Sequence, residues 1–467
     1  MGTRIATNED AVGLFGIWSA PFGRGSLRLA AAVAVLLLTE QGVQAAILLE
    51  GARVIVDARR APIENAAILV DKGKIVKVGK AGEIAAPAGT TRVDLTGKTV
   101  IPALIDTHIH IGYQKDATYS AANYTRENLM DQLRRYAYAG VTAVMSLGTD
   151  PGDEPFVTRA YQERTGGTQF LFAGRGIAAP NAGPGDTALK PSAWAVSTID
   201  QARNAVREEI AKKVDFVKVW VDDRGGAVKK TPPEIYRAVI DEAHKRKTRV
   251  IAHVFYLEDA RELVKAGVDG FAHLVRDQEM DDALIAEMKR KGVVVMPNLG
   301  LAANRADTAP DGWLNDPLYR ETTPEAIIAR VRTSYANRTP QALAAAQKMY
   351  GLMRKNLQKL NAAGVTIVLG GDSGAVPDHF HGFSSHHEMQ WMAEAGMTPA
   401  QVLNAATVTG ADFLKLRDKG TLDSGKSADF IVLDANPLEA IANTRKIAKV
   451  YFHGQEIDRE ALRKGWN

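Results

Sequence analysis

The chain reads as an α/β protein: a (β/α)8 barrel with a small β-sandwich built from both chain ends. Two observations predict this. Between residues 101 and 419, eight short apolar runs alternate with segments whose apolar residues recur at three- and four-residue spacing. On either side, over 46–100 and 420–467, the texture changes to short strand-like runs with tight turns. Eight β/α alternations followed by a return to strands suit a barrel with insertions, flanked by a divided second domain.

Residues 1–45 stand apart. Leu29 to Leu38 is a short apolar run, preceded by Arg24 and Arg28 and followed by Val43, Gln44 and Ala45. It is short for a bilayer span and has the order of a secretory leader, with cleavage after Ala45. That predicts a secreted or periplasmic protein with no stable membrane span once the leader is removed. A retained membrane anchor is the alternative. Glu9 and Asp10 are atypical of such a leader, so translation is expected to start further downstream.

Within 46–100, Asp71, Lys72 and Gly73 separate two apolar runs, the second alternating, which is a hairpin signal. The same texture returns in Ala428–Asp434 and Ile447–Gly454, so the two ends are expected to pair. The barrel strands are expected at Ala103–His110, Val141–Leu147, Gln169–Gly174, Asp215–Val221, Arg249–Val254, Gly270–Leu274, Gly292–Pro297 and Thr366–Gly371. Asn128–Gly140, Ile199–Lys213 and Pro233–Lys247 read as helices packing on them. The longest insertion, 298 to about 354, follows the seventh strand. It is read as a substrate lid or as extra packing helices.

Composition excludes several classes. Lys plus Arg is 58 and Asp plus Glu 54, a net charge of +4 that is spread along the chain, so no nucleic-acid surface is indicated. The densest basic cluster, Lys245 to Lys247 after His244, reads as a helix end. There is no Cys, which excludes disulfides, thiolate-ligated zinc, iron–sulfur clusters, thiol catalysis and a lipoprotein anchor. Hydrophobic residues are 46% and charged residues 24%, the balance of a soluble globular chain.

Function in a barrel of this kind sits at the carboxyl ends of the strands. The first run ends in Asp106, Thr107, His108, Ile109 and His110. Residues two apart on a strand point the same way, so His108 and His110 can grip one cation. In the fourth run Val217 and Val219 should face the helices, which places Lys218 inward. A buried ammonium must be paired, deprotonated or modified, and an internal salt bridge to an Asp is the plainest outcome. The fifth run ends at His253, the sixth at His273 and the eighth at Asp372. Four His, one Lys and one Asp at five strand ends on one face outweigh the reading of each as a structural residue.

With these residues the chain resembles the amidohydrolase superfamily, in its two-metal branch with a carboxylated lysine. The resemblance runs through Val100–His110, Lys218, His253, His273 and Leu369–Asp372. It continues through Glu388, Met397–Pro399, Asn404–Thr407 and Gly420–Asp429. Within the superfamily the chain is most similar to the prolidase-like and imidazolonepropionase-related amide hydrolases. The resemblance implies a barrel beside a divided β-sandwich, in agreement with the patterning. It implies that His108, His110 and Asp372 bind one divalent ion, that His253 and His273 bind a second, and that Lys218, carboxylated on its amine, bridges both. Imidazole and carboxylate ligands without thiolates suit zinc best. A hydroxide held between the ions would attack the carbonyl, with Asp372 as general base and acid. The substrate would be a small amide, such as a dipeptide or N-acyl amino acid. Assembly as a homo-oligomer is compatible with this reading.

Substrate contacts are expected from Arg276, which follows the sixth strand and could meet a carboxylate or pair with Asp277. Tyr256 could donate to an oxyanion or serve packing. His379 and His381 follow Asp372 closely enough to reach the site. His386 and His387 are expected in packing, and His244 and His453 outside catalysis. Two departures bear on specificity: Val144–Leu147 lacks the arginine and aspartate many prolidase-like members carry, and the sixth run lacks the commoner Ile-Glu-His-Gly. A one-metal deaminase, or a cyclic-amide or imidazolone hydrolase, is the alternative on this scaffold, although a bridging Lys218 has no use in a one-metal site. A catalytically dead scaffold would have eroded ligands, and here all six are present.

Overall fold

The computed structural model describes residues 46–377 and 379–466, so the expected leader lies outside the described residues. The central strands are Leu104–Ile109, Val141–Ser146, Gln169–Phe172, Val217–Val221, Val250–Val254, Gly270–Ala272 and Val294–Met296. They are buried along nearly their whole length, which is why the sequence shows continuous apolar runs here instead of alternation. The first three pair in parallel. The last four form a second parallel ladder. Asp215 N–H donates to Phe172 O at 3.0 Å and joins the two parts.

The eighth expected strand, Thr366–Gly371, is a correction. It closes the ring through isolated bridges, Val295 with Ile367 and Ile109 with Ser373, not through a ladder. Gly370 and Gly371 are the reason. A Cβ on Gly370 would meet His108 Cβ at 2.9 Å, and one on Gly371 would meet Asp106 Oδ2 at 2.7 Å. The glycines let this segment run close beside the first strand, at the expense of regular pairing.

Inward and outward faces separate as the alternation predicts. Val217 and Val219 pack outward with helical residues such as Ile235, Val239 and Leu263. Ile105, Met145, Phe216, Ile251 and Met296 fill the barrel interior, where Phe413 and Leu414 join them from helix Val408–Leu414. The helices begin at recognisable caps. Thr125 caps Arg126–Tyr138, and Thr198 with Gln201 forms a capping box before Ile199–Ala211. The insertion is helical: Leu299–Ala306, Asp311–Leu314, Pro317–Thr322, Glu325–Ala336 and the start of Pro340–Ala363.

Both chain ends enter one eight-stranded sheet. Phe430–Leu433 lies between Thr99–Pro102 and Ile447–Phe452, each antiparallel to it. Lys72 and Gly73 have φ of 48° and 74° and turn Ile63–Asp71 into Lys74–Lys80 as a two-residue hairpin. The sheet folds back on itself, because Ile75 N–H donates to Lys426 O at 2.9 Å and Gly425 N–H donates to Ile75 O at 2.8 Å. The enclosed core draws Leu49, Ile68 and Ile75 from one end of the chain and Phe430, Val432 and Tyr451 from the other. Among the described residues no helix is long and apolar enough to cross a membrane.

Candidate metal centre

A cavity of about 340 Å³ opens at the carboxyl ends of the strands, and His108, His110, Lys218, His253, His273 and Asp372 all line it. The four imidazoles form a chain of ring contacts. Centroids are 5.2 Å apart for His108 and His110, 5.2 Å for His108 and His273, and 4.6 Å for His253 and His273. Asp372 Oδ1 lies 3.2 Å from Nε2 of both His108 and His110, and Oδ2 lies 3.9 Å from His273 Nδ1. Ligand atoms of His108, His273 and Asp372 fall within 4.8 Å of one another.

The backbone that presents these groups is unusual. His273, Asn298 and Asp372, at three successive strand ends, have φ of 76°, 50° and 53°. Left-handed backbone at non-glycine residues costs about 1–3 kcal/mol each and is held by its surroundings. Asn298 supplies much of that hold. Its Oδ1 accepts from His108 Nδ1–H and from the His273 backbone N–H, both at 3.0 Å, and its Nδ2 donates to Gly370 O at 2.6 Å. The His108 proton is thereby kept on Nδ1, leaving Nε2 with its lone pair facing Asp372. His110 Nδ1 is held 2.8 Å from Thr149 Oγ1. Asp106, buried beneath, accepts from Ser385 Oγ–H at 2.7 Å and Gly371 N–H at 2.9 Å, and burial pushes its pKa up to about 6.

Asn298→Ala is therefore expected to weaken metal affinity by about 10–100-fold while the fold persists. Chelator competition monitored beside circular dichroism would check this, and unchanged affinity would contradict it.

Lys218 is 1% exposed and makes no ion pair among the described residues. Its stem fits because Gly148, with φ of 88°, carries no Cβ; one there would meet Lys218 Cγ at 2.6 Å. Burial, reinforced by the charges of Arg224 and Arg276, pulls the Lys218 pKa down to about 7 against the raising effect of Asp372. The expected salt bridge to an Asp is absent among the described residues. Burial raises Asp372 as well, but the neighbouring His108 and His110 outweigh it and hold the carboxyl below its ordinary range.

His253 brings a partner that the sequence reading missed. Asp222 Oδ2 lies 3.0 Å from His253 Nε2 and 3.1 Å from an Arg224 nitrogen. Burial lowers the His253 pKa to about 3 in spite of Asp222, so the ring is neutral and the contact uses an Nε2–H tautomer. Asp222 and Asn298 both end apolar runs on the carboxyl face, the same signal that picked out the histidines.

Of the expected substrate residues, Arg276 lines the cavity. Its Nη2 donates to Val254 O at 3.0 Å and lies 3.3 Å from His253 Nε2, and the guanidinium sits over Phe255. The structure does not bring the other three to this cavity. Tyr256 donates to Asp223 Oδ1 at 2.6 Å under Lys230. His379 Nε2–H donates to Gly371 O at 2.6 Å and lines a neighbouring cavity. The His381 ring packs edge-on against Tyr136. As expected, His386 and His387 serve packing: His386 bonds Ala139 O and Thr444, and His387 lies among Trp313, Phe383 and Trp391. Arg224, Arg305 and Asp186 also line the site and were not foreseen.

Known proteins resemble this chain in sequence and fold. Ochratoxinase of Aspergillus niger is 26% identical over 428 residues, covering 81% of this chain and 79% of its own. A Bifidobacterium longum protein provisionally assigned as a prolidase superposes with a TM-score of 0.71 at 26% identity, over 91% of this chain and 99% of that one. A Xaa-Pro dipeptidase with methionine in its active site gives a TM-score of 0.70 at 21% identity, over 88% and 100%. The sequence profile of the amidohydrolase family matches residues 99–457, and the chain belongs to that family, as a hydrolase acting on carbon–nitrogen bonds.

Proposed function

We propose that the chain is a two-metal hydrolase cleaving the amide of a small carboxylate-bearing substrate, a dipeptide or an N-acyl amino acid, after export past the cytoplasmic membrane. One observation carries the reading: six side chains of metal-binding type and three arginines share the walls of a single cavity. The donor set fits divalent cations. His108 Nε2 and Asp372 Oδ1 are buried with no hydrogen-bond partner among the described residues, an arrangement a cation would satisfy.

His108, His110 and Asp372 would hold one ion, His253 and His273 the other, and carboxylated Lys218 both. The donors suit zinc. When bound, such cations polarise a carbonyl and lower the pKa of water. Asp372, ionised at neutral pH, accepts a proton from the attacking water and returns it to the departing nitrogen. Arg276 and Arg224 bind the substrate carboxylate: burial lowers the Arg276 pKa to about 10 against the raising effect of Asp222, which leaves the guanidinium charged at neutral pH and ready to pair with an anion.

Carboxylation needs the neutral Lys218 amine, whose nitrogen bonds to carbon dioxide and releases a proton. With a pKa of about 7 the amine is neutral above that pH and charged below it. At fixed dissolved carbon dioxide, reactivation of metal-stripped enzyme by zinc should run about tenfold faster at pH 8 than at pH 6. Equal rates would contradict the assignment. The activity itself is tested by screening zinc-loaded protein against dipeptide and N-acyl amino acid libraries. Cleavage confined to ring amides or amino-heterocycles would replace this reading.

A further inference from the structure

A second cavity, of about 200 Å³, adjoins the catalytic one; Leu301, Arg305 and Val376 stand in the walls of both. Most of its remaining wall comes from the insertion, where Trp313, Val331 and Tyr335 present aromatic and apolar surface, and His379 completes it from the loop after Asp372. The Arg338 guanidinium lies 3.5 Å from the centre of the Tyr335 ring and backs it. Asn304 Oδ1, on the same wall, is buried without a hydrogen-bond partner among the described residues. Tyr335 Oη on the same wall is likewise buried without a hydrogen-bond partner among the described residues. A chamber that joins an indole, a phenol ring and aliphatic side chains to a few polar groups, reached past a guanidinium, suits an aromatic group on a short chain.

Topology says which half of an amide would enter. Arg224 and Arg276 follow the fourth and sixth barrel strands, beside His253. Leu301 and Arg305 follow the seventh strand, and Val376 follows the closing segment that carries Asp372. In an eight-membered ring the fourth and eighth positions face each other. A carboxylate held by Arg224 and Arg276 puts the amino-acid half on one side of the scissile bond and the acyl half on the other.

We propose that the second cavity is the acyl-side specificity site, taking an aryl group at the end of a short acyl chain that passes between Arg305 and Val376. The proposal rests on the amide-hydrolase reading above and narrows it to aryl-acyl amino acids. Trp313 and Tyr335 supply the ring contacts, and Arg305 at the neck adds a cation–π contact.

The test compares N-(4-phenylbutanoyl)-leucine with N-acetyl-leucine on zinc-loaded enzyme. The aryl substrate should have a kcat/KM at least about tenfold higher. Ser334 is exposed on the cavity wall, so Ser334→Trp fills the chamber without disturbing the core. That variant should remove most of the preference and leave N-acetyl-leucine unchanged. A second measurement is independent of turnover: 4-phenylbutyrate should alter the fluorescence of metal-free enzyme, with the change lost in Trp313→Phe and in Ser334→Trp. If neither amide is cleaved but the fluorescence change appears and depends on both residues, the site stands and the amide reading fails. Equal kcat/KM for the two substrates, insensitive to Ser334→Trp, would overturn the proposal, as would a fluorescence change absent from wild type.

Discussion

Lys218→Ala is expected to lose bound metal and hydrolytic activity together. The fold encloses this amine without giving it a carboxylate partner: it is fully buried, and no Asp or Glu lies within ion-pair distance among the described residues. An ammonium left so is costly, and the lowered pKa of the side chain expresses that cost. The proposed carboxylation would remove the conflict by turning the amine into an anion facing the imidazoles across the cavity. Without that bridge, neither of the two proposed ions would retain a full set of anionic ligands. We expect activity to fall by at least about a thousandfold, or about 4 kcal/mol of transition-state stabilisation. A short carboxylic acid such as acetate or propionate should restore part of it by occupying the space of the lost side chain. Elemental analysis beside a rate assay would check both statements, and unchanged metal content in the variant would remove Lys218 from the centre.

Asp372→Asn should give the next largest loss, and of a different kind. Asparagine tolerates left-handed backbone, so the φ of 53° at this position does not oppose the replacement. The cavity should therefore keep its shape, while the group proposed to carry the proton disappears. We expect kcat to fall by about 10²–10⁴-fold with a smaller change in KM. Departing alkyl amines need that proton and activated anilines need it less, so nitroanilide substrates should suffer less than alkyl amides. A loss that is equal across leaving groups would assign Asp372 to metal holding alone.

Five of the six central residues were legible because they close apolar runs on the carboxyl face, where a parallel barrel points them at one place, and Lys218 because it interrupts a run between Val217 and Val219. Asp222 and Asn298 end runs in the same way, yet neither belongs to the familiar ligand set, and they passed unremarked. Thr149 and Arg224 lie beyond the turns after their strands, where spacing says little about direction. Proximity in sequence did not place His379, His381 or Tyr256 in the catalytic cavity, although His379 lines the neighbouring one. All three follow a ligand within a few residues, but each finds a nearer partner: Gly371 O, the Tyr136 ring and Asp223 respectively. The eighth run looked like its siblings because Val365, Ile367, Val368 and Leu369 are apolar. Its two glycines, read as part of a motif, also weaken its pairing.

The succession of apolar runs, the residues that end them and the turns between them determined the barrel, the pairing of the two chain ends and the set of candidate ligands. These are local properties, carried by periodicity and by the alternation of side chains along a strand. Only the tertiary structure decided which polar groups hold the ligands, which way the residues after each strand turn, and that the insertion encloses a second chamber beside the first. Those outcomes depend on contacts between segments far apart in the chain, such as Asn298 with His108 or Ser385 with Asp106, and no local pattern encodes a contact of that kind.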